Sequence, residues 1–306
     1  MVITVASGKG GTGKTTVATS LAVANAECSP LLLDCDVEAP NAHIFLKPRW
    51  NQRQIVTLPI PLIDESRCTG CGRCAEVCPY HAILTLGVKV LVFPELCHGC
   101  GSCTLQCPEE AIAEVPHPLG LLESGPAKFD IDFARGVLNI GEPMAVPVIR
   151  QLKQWRLHSE RQLVIRDAPP GNSCPLVETI RGADFVLLVT EPTPFGLHDM
   201  RLAIQLTREL CIPTGVLINR DGVGDDGVET YCRDGGIPIL MRIPLDPRIG
   251  GAVARGETLV EAFPEYLPQF RALCVHIQRL IERRRDEAAL EASMTHHSIG
   301  ARAASS

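Results

Sequence analysis

The chain has 306 residues, 45% of them hydrophobic, with 35 acidic against 29 basic side chains and a formal net charge of −6. That length allows two domains, and the acidic balance argues against a general nucleic-acid binder. No run of about 18 apolar residues offers a transmembrane helix, and no secretory or transit segment precedes the first apolar strand, so a cytoplasmic, reducing location is expected.

Met1–Val5 reads as a buried strand and Val17–Ala26 as a helix. Between them runs Ser7-Gly8-Lys9-Gly10-Gly11-Thr12-Gly13-Lys14-Thr15-Thr16. Gly8, Gly13, Lys14 and Thr15 fit G-x-x-x-x-G-K-[ST], in the strand–loop–helix context that a phosphate-binding loop requires. The glycines let backbone N–H groups close around phosphates, and the helix N-terminus adds its partial positive charge. Lys14 is expected to reach the β and γ phosphates, and the Thr15 hydroxyl to ligate Mg²⁺. The whole run from Gly8 through Thr16 is the expected nucleotide-binding segment.

A second apolar strand, Leu31–Leu33, ends in Asp34-Cys35-Asp36. Then, after Ile60–Asp64, come eight of the fourteen cysteines in two matching blocks. The first is Cys68-x₂-Cys71-x₂-Cys74-x₃-Cys78-Pro79 and the second Cys97-x₂-Cys100-x₂-Cys103-x₃-Cys107-Pro108, each residue 29 positions after its counterpart. Ala82-Ile83 recurs as Ala111-Ile112, so this is an internal repeat, and residues 82–92 between the blocks read as a hairpin turning at Gly87. The run C-x₂-C-x₂-C-x₃-C-P resembles the bacterial ferredoxin signature, in which the fourth cysteine ligates the other cluster. That resemblance implies one 4Fe–4S cluster on Cys68, Cys71, Cys74 and Cys107, and another on Cys97, Cys100, Cys103 and Cys78. Zinc sites favour cysteine pairs set apart by a longer spacer, and a disulfide framework needs an oxidising compartment. Both fit less well than iron–sulfur. Of the remaining cysteines, Cys28, Cys35, Cys174, Cys211, Cys232 and Cys274, most are expected to be buried free thiols. Cys174, just past Asp167–Gly171, is read as an interface thiol.

Further on, Leu163–Ile165 runs into Asp167-Ala168-Pro169-Pro170-Gly171, with strands also expected at 185–190 and 215–219 and a helix over Met200–Leu210. Val216–Ile218 leads to Asn219-Arg220. Strands alternating with helices predict an α/β fold with a doubly wound, mostly parallel sheet and ligands at the carboxyl ends of the strands. Near the end, Phe270, Leu273, Cys274, Ile277, Leu280 and Ile281 share one helical face that is expected to cover the sheet rather than meet a membrane. The divisions expected are 1–60 and 118–285 for a nucleotide-binding domain, 61–117 for an inserted α+β ferredoxin-like domain, and 286–306 for a disordered tail.

With its second loop lysine, K-G-G-T-G-K-T resembles the deviant phosphate loop of the MinD/ParA/Mrp superfamily of P-loop ATPases, the CobQ/CobB/MinD/ParA nucleotide-binding domain. The resemblance implies that Lys9 crosses a nucleotide-sandwiched dimer interface to the opposite subunit's phosphates. It further implies that Asp36 positions the attacking water, that Asp34 supports the metal shell and that Asp167 is the acidic residue behind Mg²⁺. Asn219, with Arg220 beside it, would contact the adenine. Arg166 departs from the family pattern, where an apolar residue or a second Asp is usual, and leaves the metal shell in question. The function implied is a Mg-ATP-hydrolysing dimer, homodimeric or paired with a related ATPase, whose ATP/ADP state controls electron transfer or docking of a redox or iron–sulfur partner by two 4Fe–4S clusters. Three alternatives stand beside it: a cluster carrier, a ParA/MinD-like positioning protein with redox-sensing clusters, and an amide ligase of the cobyrinate diamide synthase type.

Overall fold

The computed structural model describes residues 1–155 and 162–303 of the chain, with side chains described to residue 287. Strand β1 (Val2–Ala6) leads into helix α1 (Lys14–Ala24), and β2 (Leu31–Asp34) into the short α2 (Ala42–Leu46). Two long strands, β3 (Gln52–Ile63) and β6 (Ile112–Pro126), bracket the cysteine blocks. Between them lie α3 (Arg73–Glu76), the hairpin β4 (Ile83–Leu86) and β5 (Lys89–Val92), and α4 (Ser102–Leu105). Then come β7 (Asp132–Leu138), α5 (Ala145–Gln154), β8 (Val164–Asp167), α6 (Cys174–Ile180), β9 (Phe185–Thr190), α7 (Pro194–Glu209) and β10 (Thr214–Asp221). The described chain finishes with α8 (Gly227–Asp234), β11 (Ile239–Pro244), α9 (Pro247–Ala254), α10 (Leu259–Ala262) and α11 (Leu267–Ala303).

Nine strands form one sheet in the order β11-β10-β9-β1-β8-β2-β7-β6-β3. Every neighbouring pair from β11 to β7 is parallel, and the last two pairs are antiparallel. The central strands β1, β2, β8 and β9 are buried almost throughout, and mostly apolar, because both of their faces are covered. Alternation then sorts their side chains between two layers. Ile3, Val5, Leu32 and Ile165 meet α1 and α11 on one face, whereas Leu31, Leu33 and Val164 meet α5 on the other. The apolar stripe of α11 does cover the sheet: Phe270, Leu273 and Ile277 are buried against that first layer. Each contributes about 2 kcal/mol by leaving water, so a charge at Ile277 would break the docking. The helix continues through 287–303, where a tail was expected; residues 304–306 lie outside the described residues. Among the described residues, no helix is long and apolar enough to cross a membrane.

The edge of the sheet explains where the cysteines go. β6 leaves β7 at the pair Gly120↔Leu138, but β3 and β6 stay paired from Thr57↔Pro118 out to Ile63↔Ile112. At about 3.3 Å per residue this ribbon runs about 20 Å past the end of β7. Two antiparallel steps return β3 to the direction of β2, so the ribbon leaves by the sheet edge that carries the ends of β1, β2 and β8. Pro59 and Pro61 lie on β3, an edge strand that tolerates a missing donor and gains protection against further pairing. The expected divisions at 60/61 and 117/118 fall within these two strands.

Candidate nucleotide site and cysteine cavities

The loop between β1 and α1 needs a left-handed turn where the helix begins. Gly13 supplies it with φ 94°, and a Cβ there would come within 2.5 Å of Asn219 Nδ2. Asn219, at the end of β10, donates instead to the Thr12 carbonyl oxygen at 2.8 Å. It therefore ties the loop to the end of β10, two strands from β1 in the sheet. Beyond the loop opens a cleft of about 530 Å³, walled by Gly10, Gly11, Gly13, Thr16, Asn219 and Arg220, with Pro244–Asp246 facing them. Its size suits a nucleotide.

Lys14, Thr15 and Asp36 line the same cleft. Lys14 is 7% exposed, and its ammonium donates to the Lys9 carbonyl oxygen at 3.4 Å. Burial lowers its pKa against the opposing pull of Asp167 and Asp36. Asp167 is buried at the end of β8; burial pushes its carboxyl up to about 7, opposed by the Thr15 hydroxyl and Lys14. Neither of its carboxylate oxygens has a hydrogen-bond partner of ordinary geometry. Asp36 is also raised by burial, with Lys14 pulling it down. Buried carboxylates left without donors cost free energy unless a cation meets them. Together with the Thr15 hydroxyl, Asp36 and Asp167 form an all-oxygen donor set of the kind that suits Mg²⁺.

Asp34 is engaged differently. It is fully buried, and its Oδ2 accepts from the Asn41 and Ala42 N–H groups at 2.9 and 3.0 Å, while Oδ1 accepts from Asp36 N–H at 3.3 Å. Its carboxyl is held high, chiefly by burial and next by the charge of Asp167. What this geometry gives Asp34 is control of the loop that carries Asp36.

Arg166 stands clear of the metal donors. In a strand it faces away from Asp167, and its Nη1 donates to the carbonyl oxygens of Thr179 and Arg181 at 3.0 and 3.1 Å. A cation at these final carbonyls suits the negative end of α6.

Lys9 is not on the cleft wall. Its ammonium pairs with Glu191 Oε2 at 2.9 Å, and Arg220 Nη1 pairs with Oε1 of the same carboxylate at 2.6 Å. Glu191 was not read from the sequence. The available signal was its place directly after β9, at the carboxyl edge where ligand groups collect in such sheets.

At the end of the ribbon the eight block cysteines divide into two groups of four. One small cavity is lined by Cys68, Cys71, Cys74 and Cys107, the other by Cys97, Cys100, Cys103 and Cys78. The 29-residue repeat recurs in the backbone: Gly70 and Gly99 both have positive φ, as do Gly72 and Gly101, and His81 and Glu110. Ala82 N–H donates to Cys78 Sγ and Ala111 N–H to Cys107 Sγ, each at 3.3 Å. Cys74, Ile83, Cys103 and Ile112 pack together as a core of their own. Burial raises the thiol pKa of Cys74, Cys97 and Cys103, while the Ser102 hydroxyl lowers that of Cys100. Among the described residues, no three His, Cys, Asp or Glu side chains converge to hold a single metal ion. Each cavity brings together four thiols, the number of ligands that a 4Fe–4S cluster takes. The repeat breaks beside the second cavity, where Tyr80 and His98 stack with centroids 3.7 Å apart. Their counterparts at the first cavity are Glu109 and Thr69.

Of the six other cysteines, expected to be mostly buried, Cys35, Cys232 and Cys274 are buried, but Cys28, Cys174 and Cys211 are exposed. Cys28 and Cys211 lie at helix ends, where a small apolar residue has no packing layer above it. Burial pushes the Cys35 thiol up to about 12 and those of Cys232 and Cys274 to about 11.

Two proteins of Methanocaldococcus jannaschii are similar along most of their length. MJ0579 is 30% identical over 265 residues, covering 85% of this chain and 92% of the relative. MJ0578 is 33% identical over 227 residues, covering 74% and 80%. Among solved structures, the septum site-determining protein MinD complexed with Mg-ADP from Pyrococcus horikoshii aligns at TM-score 0.55 and 19% identity, over 91% of this chain and 96% of that one. A ParA family ATPase from Chlorobium tepidum aligns at TM-score 0.53 and 14% identity, over 91% and 98%. Such low identities speak for the fold. Residues 3–260 match the CobQ/CobB/MinD/ParA nucleotide binding domain, and the chain belongs to that family.

Proposed function

We propose that the protein is a Mg-ATP-binding, ATP-hydrolysing dimeric switch whose nucleotide state controls electron transfer or partner docking at two 4Fe–4S clusters. The observation that carries this reading is the ribbon: the strands that hold two four-thiol cavities leave the sheet by the edge where the phosphate loop, Asp36 and Asp167 lie. In this reading Lys14 and the loop N–H groups hold the β and γ phosphates. Thr15 and Asp167 hold Mg²⁺, Asp36 orients the attacking water, and Asn219 with Pro244–Asp246 receives the base. The Mg-ADP complex of the structurally similar Pyrococcus horikoshii MinD supports the choice of nucleotide. Cys68, Cys71, Cys74 and Cys107 would hold one cluster and Cys97, Cys100, Cys103 and Cys78 the other; when bound, such clusters supply one-electron redox chemistry. A second reading, a carrier that hands its clusters to other proteins, is favoured by the exposure of Cys71 and Cys100.

The test combines metal analysis with ATP turnover. Anaerobically prepared protein is expected to contain about eight iron and about eight acid-labile sulfide per chain. It should hydrolyse ATP, and Lys14→Ala should weaken ATP binding at least ~100-fold, the scale expected when a charge-assisted hydrogen bond is removed from a buried site. Stoichiometric zinc without sulfide would remove the clusters from the reading. Unchanged ATP affinity in Lys14→Ala would remove the switch.

A further inference from the structure

Glu191 is a carboxylate beside the phosphate loop that no motif accounts for. Its side chain is 9% exposed and stands between two cations, Lys9 at 2.9 Å and Arg220 at 2.6 Å. A carboxylate buried that far needs such partners to offset its lost hydration. The corner that holds it is rigid. Thr190 Oγ1 donates to the Gly196 carbonyl oxygen at 3.0 Å, and a Cβ on Gly196 would strike the Glu191 carbonyl oxygen. The two cations are fixed in turn. Arg220 has φ 55°, costly for a residue with a side chain, and its Nη2 reaches the Gly11 carbonyl oxygen at 3.4 Å. The Lys9 carbonyl oxygen accepts from Lys14, but the Lys9 ammonium is turned to Glu191 and absent from the cleft wall.

We propose that Glu191 is a positioning residue: it holds Lys9 off its own subunit's nucleotide until the phosphates of a second, ATP-bound copy compete for that ammonium. The proposal rests on the dimeric-switch reading above. Glu191 sets the free energy that ATP and the second copy must supply together, since Lys9 leaves one anion to reach another. Its removal therefore favours the dimer. Arg220 stays beside the carboxylate in either state, so the effect runs through Lys9.

The experiment is sedimentation of wild type, Glu191→Gln, Glu191→Asp, Lys9→Ala and the Lys9→Ala/Glu191→Gln double variant, each with Mg²⁺ and ATPγS, alongside ATPγS titration calorimetry. Glu191→Gln should lower the protein concentration at half-dimerisation by about fivefold to tenfold, within the usual range of coupling between two binding events. Glu191→Asp, too short to span both cations, should lower it by about twofold to threefold. In the Lys9→Ala background, Glu191→Gln should change nothing beyond about twofold. A merely structural glutamate would act equally in both backgrounds. Unchanged or weaker dimerisation by Glu191→Gln, or an equal gain without Lys9, overturns the proposal. Should the glutamine variant melt early without nucleotide, Glu191→Asp carries the same comparison. Wild type that binds no ATPγS, or stays monomeric with it, overturns the dimeric-switch reading and this proposal together; wild type that dimerises while the variants do not separate overturns this proposal alone.

Discussion

Arg166 and Asp167 are neighbours along β8 and face opposite layers of the sheet, which decides what each can do. Asp167 opens toward the phosphate loop with its oxygens unpartnered, while Arg166 closes the carbonyl end of α6. Read along the chain, an arginine next to an acidic metal residue looks like an intrusion. Strand alternation removes it from the site, and that step required only the period of two. The same rule could not reveal Glu191, because its partners Lys9 and Arg220 are brought to it by two other loops. Asp34 and Asp36 were legible as a pair, and the resemblance gave them separate roles, but not the contacts that keep Asp34 out of the cleft. Hydrogen bonds from Asn41 and Ala42 separate the loop-ordering carboxylate from the one that lines the cleft. Arg166→Met is expected to destabilise the fold by about 2 kcal/mol, since two carbonyls lose their donor in a buried place. Its ATP affinity should stay within about twofold of wild type, because no atom of the cleft is touched. Denaturant unfolding and nucleotide titration of the same variant check both halves; intact stability with lost ATP binding would put Arg166 back in the metal shell.

At the scale of elements, the strands of the main sheet that were read from the sequence are largely buried ones. β1, β2, β8, β9 and β10 are short apolar runs closed by polar turns, and the hairpin turns at Gly87 with φ 62°. β3, β6, β7 and β11 were not read as strands. β3 is exposed over its first four residues, mixes buried and exposed positions after that and carries two prolines, a pattern that fits an edge ribbon and resembles a linker when read alone. The cysteine spacing was legible because a repeat fixes its own register. The resemblance already implied that Cys78 leaves its own block, and one cavity is lined by Cys78 with Cys97, Cys100 and Cys103. Cys78→Ser should therefore lower iron from about eight to about four per chain. Adding Cys97→Ser should remove little more, as both serve one cavity, whereas adding Cys68→Ser should remove nearly all of the remainder. The reverse pattern, read by iron analysis and low-temperature electron paramagnetic resonance, would assign each block its own cluster.

Across the whole molecule the connection between sites is a matter of topology. The segment from Asp64 to Ala111 is spliced between the loop bearing Asp36 and the loop bearing Asp167, the two that face the γ phosphate in this account. Only β7 and β6 separate β2 from the ribbon strand β3, and α5 lies over this part of the sheet while packing against α6 beyond Asp167. A nucleotide that moves either loop can thus bias the ribbon through packed elements, given two discrete arrangements of them. The linkage is reciprocal: if ATP shifts a cluster potential, reduction must shift ATP affinity by the same free energy. The central claim is tested most directly by the midpoint potentials of both clusters, measured with and without a non-hydrolysable ATP analogue, on wild type and on Asp167→Asn. The account predicts a shift in wild type, about 59 mV for each tenfold difference in ATP affinity between redox states of a one-electron cluster, and a diminished shift in Asp167→Asn. Potentials that stay equal within error, with ATP affinity unchanged by reduction, would contradict it.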